Sequence, residues 1–220
     1  MKRLLMILLC LLLPFSALGE EEEETLVLSF LGDCSIGDSI QYRDYAISYH
    51  ATIREKGPEW PFSLVREVLE ADDLTIANLE VVLTNYTKTR QDKEHNLIGD
   101  PAHTQVILAS GIDVVNTANN HAWDFRAQGY HDALSHLDAA GIPHFGTLYS
   151  GTKDGSDITP IIEVNGVKIG FMGFSYPQEY DKKRISIRME RLREAGAQLI
   201  VVSLHWGIEE DTQPSSSQAA

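Results

Sequence analysis

The sequence predicts an α/β fold in which helices pack outside a mixed β-sheet, on three observations. Short apolar runs alternate along the chain with stretches whose apolar residues recur at helical spacing. Several of those runs end abruptly in carboxylate, amide or imidazole side chains, as strands do where they reach the rim of a parallel sheet. Asn165-Gly166 separates two further apolar runs, the strongest short-range hairpin signal, and this adds an antiparallel pair.

In chain order, "TLVLSFLGDCSIGD" opens with a strand over 25–30 that breaks at Gly32, and a loop rich in Tyr and polar residues runs to Pro61. "PFSLVREVLEADD" reads as a helix with Phe62, Val65, Val68 and Leu69 on one face. "LTIANLE" is a short buried strand, and 84–100, which has no clear period, reads as a long loop. "PAHTQVILASG" is a second helix stopped by Gly111, and "IDVVNTANNH" the next strand. A helix over 126–140 is closed by "AAGIP", and "IPHFGTL" is a short strand. The hairpin follows, then a charged helix over 182–195, and "AQLIVVSLHWG" is the last strand.

The chain has 220 residues, 43% of them hydrophobic and 23% charged, which suits one soluble domain with a substantial core. A formal charge of −14 excludes the phosphate backbone of nucleic acid as a natural partner. Residues 1–19 have the layout of a secretory signal peptide: Lys2 and Arg3, an apolar run from Leu4 to Leu13, then Ala17 and Gly19. Export is therefore expected, with an uncleaved N-terminal anchor as the alternative. Residues 20–24 read as an acidic, solvated spacer and 25–220 as the folded domain. Cleavage would leave Cys34 as the lone cysteine, which excludes an intramolecular disulfide.

The strand ends carry the chemistry. "LSFLGD" ends in Asp33, "TIANLE" in Asn78 and Glu80, "VVNTANNH" in Asn119, Asn120 and His121, and "IVVSLHWG" in His205. Parallel strands would bring these ends to one rim. Mixed oxygen and nitrogen donors suit Mn, Fe or Zn rather than a thiolate-selected metal. Carboxylates able to bridge, with histidines from different strands, favour two ions that clamp a phosphoryl oxygen and activate a water. The remaining histidines are read as packing or surface residues. "NYT" at Asn85 fits the glycosylation pattern, a short and frequent match.

In their order, "GDCSIGD", "ANLEVVLT", "GIDVVNTANNHAWDF", "AAGIPHFG" and "VVSLHWGIE" resemble the CapA family, the poly-γ-glutamate capsule synthesis proteins, from Thr25 to the end. That resemblance implies a metallophosphatase-like fold, a mixed β-sheet sandwich flanked by helices (α/β/β/α). It implies that Asp33, Glu80, Asn120, His121 and His205 are metal ligands. It implies catalytic roles for His121, at the metal or the leaving oxygen, and for Asp124, orienting the His121 ring. As partners it implies an anionic polymer or phosphorylated substrate and a capsule-synthesis membrane complex.

Two departures qualify the match. Metallophosphatases carry Asp-x-His on the first strand, whereas Cys34 and Ser35 follow Asp33 here. Cys34 is expected to pack as a small hydrophobe. After "HWGIEEDTQPSSSQAA" the family continues into a segment that supplies further ligands, so the sequence is read as a fragment, of reduced stability and with an exposed sheet edge. Three functions follow from these residues: an exported capsule-assembly component, a secreted metal-dependent phosphoesterase, or a binding module whose metal site has decayed.

Overall fold

The computed structural model describes residues 25–146, 160–175, 181–208 and 211–219. The predicted signal peptide and acidic spacer lie outside the described residues. Within them no helix is long and apolar enough to cross a membrane.

The elements run β1 (Leu28–Cys34), β2 (Asp38–Ser39), α1 (Tyr49–Lys56), α2 (Arg66–Leu69), β3 (Leu74–Leu79), β4 (Val82–Leu83) and β5 (Leu97–Gly99). They continue with α3 (Thr104–Leu108), β6 (Val114–Asn116), α4 (Arg126–Ala140), β7 (His144–Phe145) and β8 (Ile161–Val164). The last are β9 (Val167–Ser175), α5 (Asp181–Glu194), β10 (Leu199–His205) and α6 (Ser216–Ala219). Two main sheets result. One is parallel, in the order β1-β3-β6-β7; the other, β10-β9-β8, pairs β10 parallel and β8 antiparallel to β9. A small third sheet, β2-β5-β4, stands beside them.

Alternation along the strands assigns each face its neighbour, because successive side chains point to opposite sides. On one side Leu74, Ile76, Val114 and Phe145 pack against Ile169, Phe171 and Val201 of the second sheet. The Phe145 and Phe171 rings meet there at 5.3 Å between centroids. On the other side Ala77, Leu79 and Val115 join Val106 and Ile107 of α3 and Ala133 and Leu137 of α4. The far face of the second sheet takes α5, whose Leu192 lies close over Gly170 where a Cβ would stand 2.9 Å from it. Helix, sheet, sheet and helix therefore stack in the predicted order.

Asn165 and Gly166 form the hairpin turn at φ 49° and 78°, the positive-φ pair that a two-residue turn demands. Asn165 also donates to Asp73 Oδ1 at 2.6 Å, which ties the turn to the start of β3.

Several elements differ from the sequence reading. β1 does not break at Gly32; it runs to Cys34 through a bulge. Phe30 pairs with Ile76 and Asp33 with Asn78, so three steps on β1 match two on β3. The helix expected from Phe62 shrinks to α2, and Val65 and Val68 are exposed rather than facing the core. Its first part is a chain of turns, with Val65 N bonding Phe62 O and Ser63 Oγ bonding Trp60 O. α1 arises inside the expected Tyr-rich loop, capped by Ser48, whose hydroxyl accepts from Ala51 N, and stopped at Gly57. β5 interrupts the expected loop 84–100. β6 stops at Asn116, because Asn116 Oδ1 accepts the Ala118 N–H and the backbone leaves the ladder.

Candidate metal centre

Four strands deliver the site. Asp33 is the penultimate residue of β1, Glu80 follows β3, His121 lies in the turn after β6, and His205 ends β10 on the second sheet. Asp33, Glu80 and His205 each present a donor atom, and the three atoms lie within 4.8 Å of one another. His205 Nδ1 is 3.4 Å from Asp33 Oδ1, and His205 Nε2 is 3.7 Å from Glu80 Oε1. The same Glu80 oxygen is 3.9 Å from His121 Nε2, so it stands between two imidazoles. Asp33 is the open side of the group, with about half of its side chain exposed (52%), against 13% for Glu80 and 16% for His205.

An asparagine ladder holds these ligands. Asp33, Asn78 and Asn116 stand side by side in register across β1, β3 and β6. Asn116 Oδ1 accepts from Ala118 N at 3.1 Å, which turns Asn116 Nδ2 towards Asn78 Oδ1 at 3.2 Å. Asn119 is fixed the same way: its Oδ1 accepts from His121 N, its Nδ2 donates to Leu79 O at 2.9 Å, and Nδ2 also reaches Asn78 Oδ1 at 3.1 Å. With its oxygen committed to two donors, Asn78 can present only its nitrogen to the ligands. That nitrogen donates to Asp33 Oδ1 at 2.6 Å and lies 3.2 Å from His205 Nδ1. Backbone groups therefore fix the amides of Asn116 and Asn119, and these two fix that of Asn78. Asn116 is itself wedged between Gly146 and Gly173, where any Cβ would overlap its oxygen.

His121 is built from the other side. Its Nδ1 is 2.8 Å from Asp124 Oδ2, and Asp124 is fully buried. Asp124 Oδ2 also accepts from Leu97 N at 2.6 Å, and its Oδ1 pairs with Lys93 Nζ at 2.6 Å. A carboxylate bonded to Nδ1 leaves Nε2 for chemistry at the Glu80 side. Asp124 thus touches the three-donor group only through His121. Asn120 Oδ1 is buried and has no hydrogen-bond partner among the described residues.

The donor set fits a divalent ion. Two donors that share one ion at about 2.1 Å would lie about 3–3.5 Å apart. Asp33 Oδ1 and His205 Nδ1 have that spacing at 3.4 Å, and one donor atom from each of the three residues lies within 4.8 Å of the others. Two carboxylates and an imidazole are the oxygen and nitrogen mixture that Mn, Fe or Zn accepts, and the unpaired Asn120 oxygen is the kind of buried acceptor that a cation satisfies. Cys34 is no part of this set. It packs against the core cluster, and burial, aided by the Asp33 charge, pushes its thiol up to about 11.

The profile of the family described as "Bacterial capsule synthesis protein PGA_cap" matches residues 27–220. The chain belongs to that family. The PGA biosynthesis protein CapA of Bacillus subtilis (strain 168) is 28% identical over 210 residues, covering 89% of this chain and 53% of that protein. The capsule biosynthesis protein CapA of Bacillus anthracis is 26% identical over 224 residues, covering 90% of this chain and 51% of that protein. This PGA_cap chain spans about half the length of the curated relatives it matches.

Of the residues expected at the site of this PGA_cap chain, Asp33, Glu80 and His205 converge, and His121 stands beside them on Asp124. Sequence reasoning passed over Asn116 and Lys93. The density of asparagines in "NTANN" was a signal for the first; Lys93 sits in a stretch without period and offered none.

Proposed function

We propose that this chain acts at or outside the cell surface in the synthesis of a capsule polymer of the poly-γ-glutamate type, through a divalent-ion centre at Asp33, Glu80 and His205. The observation that carries the reading is the convergence of these side chains from strands of both sheets, in a member of the PGA_cap family. A bound ion supplies a Lewis acid that polarises a phosphoryl or carbonyl oxygen. His121 and Asn120 are the residues that would hold a second ion, beside Glu80. Deleting the gene in its own host should lower the surface polymer; returning the intact gene should restore it, and a Glu80→Ala copy should not. Polymer levels indifferent to the deletion would remove this role.

A second reading is favoured by one specific feature. His121 lies outside the three-donor group, its Nδ1 held by Asp124 and its Nε2 turned to the rim, which is how a general acid for a leaving oxygen is placed. This reading makes the chain a metal-dependent phosphoesterase. Mn-dependent hydrolysis of p-nitrophenyl phosphate is the expected result, with at least a ~100-fold loss in His121→Ala, as general acid–base catalysis contributes about that much or more. Hydrolysis that survives both His121→Ala and Glu80→Gln would place the activity elsewhere.

A further inference from the structure

The turn that carries Asn120 and His121 is docked against the segment 91–97. Gln91 N donates to the Asp124 carbonyl at 2.8 Å, and Gln91 Nε2 reaches the Trp123 carbonyl at 3.4 Å. Asn96 Nδ2 bonds the carbonyls of Gln91 and Lys93, both at 3.2 Å, so the segment holds its own shape. From it Lys93 reaches inwards. Its ammonium group is 2.6 Å from Asp124 Oδ1, 3.2 Å from the Asn120 carbonyl and 3.2 Å from His121 Nδ1. One side chain therefore touches the backbone of one expected ligand, the ring of another and the carboxylate that holds that ring.

The geometry points to Lys93 as a positioning residue of this centre, clamping Asp124 and Asn120 so that His121 presents Nε2, and only Nε2, to Glu80. The inference rests on the metal-centre reading above. Asp124 is wholly buried and takes the Leu97 N–H and His121 Nδ1 on one oxygen, which leaves Oδ1 to the lysine. A buried carboxylate that loses its cation is strongly destabilised, and its remaining contacts rearrange. Lys93 Nζ has hydrogens to give and no lone pair, so it cannot accept the Nδ1 proton. Asp124 Oδ2 can, from 2.8 Å. With that proton on Nδ1 the 3.2 Å approach of Lys93 Nζ is a contact and not a hydrogen bond, so Lys93 holds the ring through Asp124. The ring is thereby set in one tautomer and one orientation. Lys93 remains partly open to solvent, with 27% of its side chain exposed, so the clamp lies at the rim of the site rather than in the core.

The test uses the ion-free full chain and Mn²⁺ as the probe. In the wild type, nitrogen NMR of the His121 ring should show one tautomer, protonated at Nδ1. Lys93→Met should give a ring averaged between tautomers and an Mn²⁺ affinity at least about 10-fold lower, the usual cost of removing a group that orients a ligand. Lys93→Arg, which keeps the charge, should recover part of both, and carries the same comparison if Lys93→Met does not fold. A purely structural lysine would lower the melting temperature and leave the ring signals as they were. Unchanged ring signals in the variant, or a wild-type ring protonated at Nε2, overturn the assignment whatever the affinity does. Absence of Mn²⁺ binding by the wild type sinks the metal-centre reading instead, and the ring signals alone then decide the role of Lys93.

Discussion

Glu80→Ala should remove most of the stabilisation that a divalent ion is expected to give the protein. In the wild type an ion bound at this centre, at about 100 times its dissociation constant, should stabilise the fold by about 2.7 kcal/mol. That corresponds to a rise in melting temperature of roughly 5–10 °C for a domain of this size. Glu80 Oε1 is the atom that both imidazoles approach, at 3.7 Å from His205 Nε2 and 3.9 Å from His121 Nε2. Its loss separates the two halves of the centre, so the affinity measured by calorimetry should fall by about 100-fold or more. The sign reverses when a chelator is present. Asp33 and Glu80 are then two carboxylates within 4.8 Å, and removing one relieves a repulsion. Glu80→Ala in chelator should be at least as stable as the wild type. An ion-induced shift that is the same in both proteins would place the ion somewhere else.

Gly173→Ala costs about 3 kcal/mol, and the melting temperature drops by about 10 °C. Gly173 adopts an ordinary φ, so the effect is wholly steric. The new methyl group would overlap Asn116 Oδ1 and stand 3.1 Å from the Gly146 backbone. Asn116 has nowhere to retreat, because Gly146 closes its other side and Ala118 N holds its oxygen. Either the sheets part or the amide rotates and leaves Asn78 with one donor fewer. Gly32→Ala, where a Cβ meets nothing within 4 Å, is the matched control and should melt within a few degrees of the wild type. Equal melting of the two variants would show that Asn116 is not confined.

What the sequence revealed tracks how local each feature is. α4 spans the predicted residues, Arg126–Ala140, because its period is long and Gly141 ends it at φ 69°. The hairpin at Asn165 is equally local. α1 escaped because it has no buried residue and so shows no apolar stripe, although Ser48 and Gly57 mark its ends. α2 was drawn too long for the converse reason: Val65 and Val68 complete a helix face with Phe62 and Leu69, yet they point to solvent. Asp33, Glu80 and His205 were legible since a strand that ends in a ligating side chain is a pattern along the chain. Lys93 acts through contacts to residues 27–31 positions away, and Asn116 through Asn78 at 38. Nothing in the neighbourhood of Lys93 records its partners, and the asparagines around Asn116 mark the segment without naming Asn78.

The wedging of Asn116 between Gly146 and Gly173 also bears on timing. Gly173 closes over Asn116, and His205 joins Asp33, only once the second sheet has packed on the first, contacts separated by 57 or more positions along the chain (173 − 116). Loop-closure entropy delays such contacts until late in folding. A cation that recognises the finished site therefore has little to hold in the transition state. It should leave the folding rate nearly unchanged and act by slowing escape from the native state, so that its benefit is persistence rather than speed.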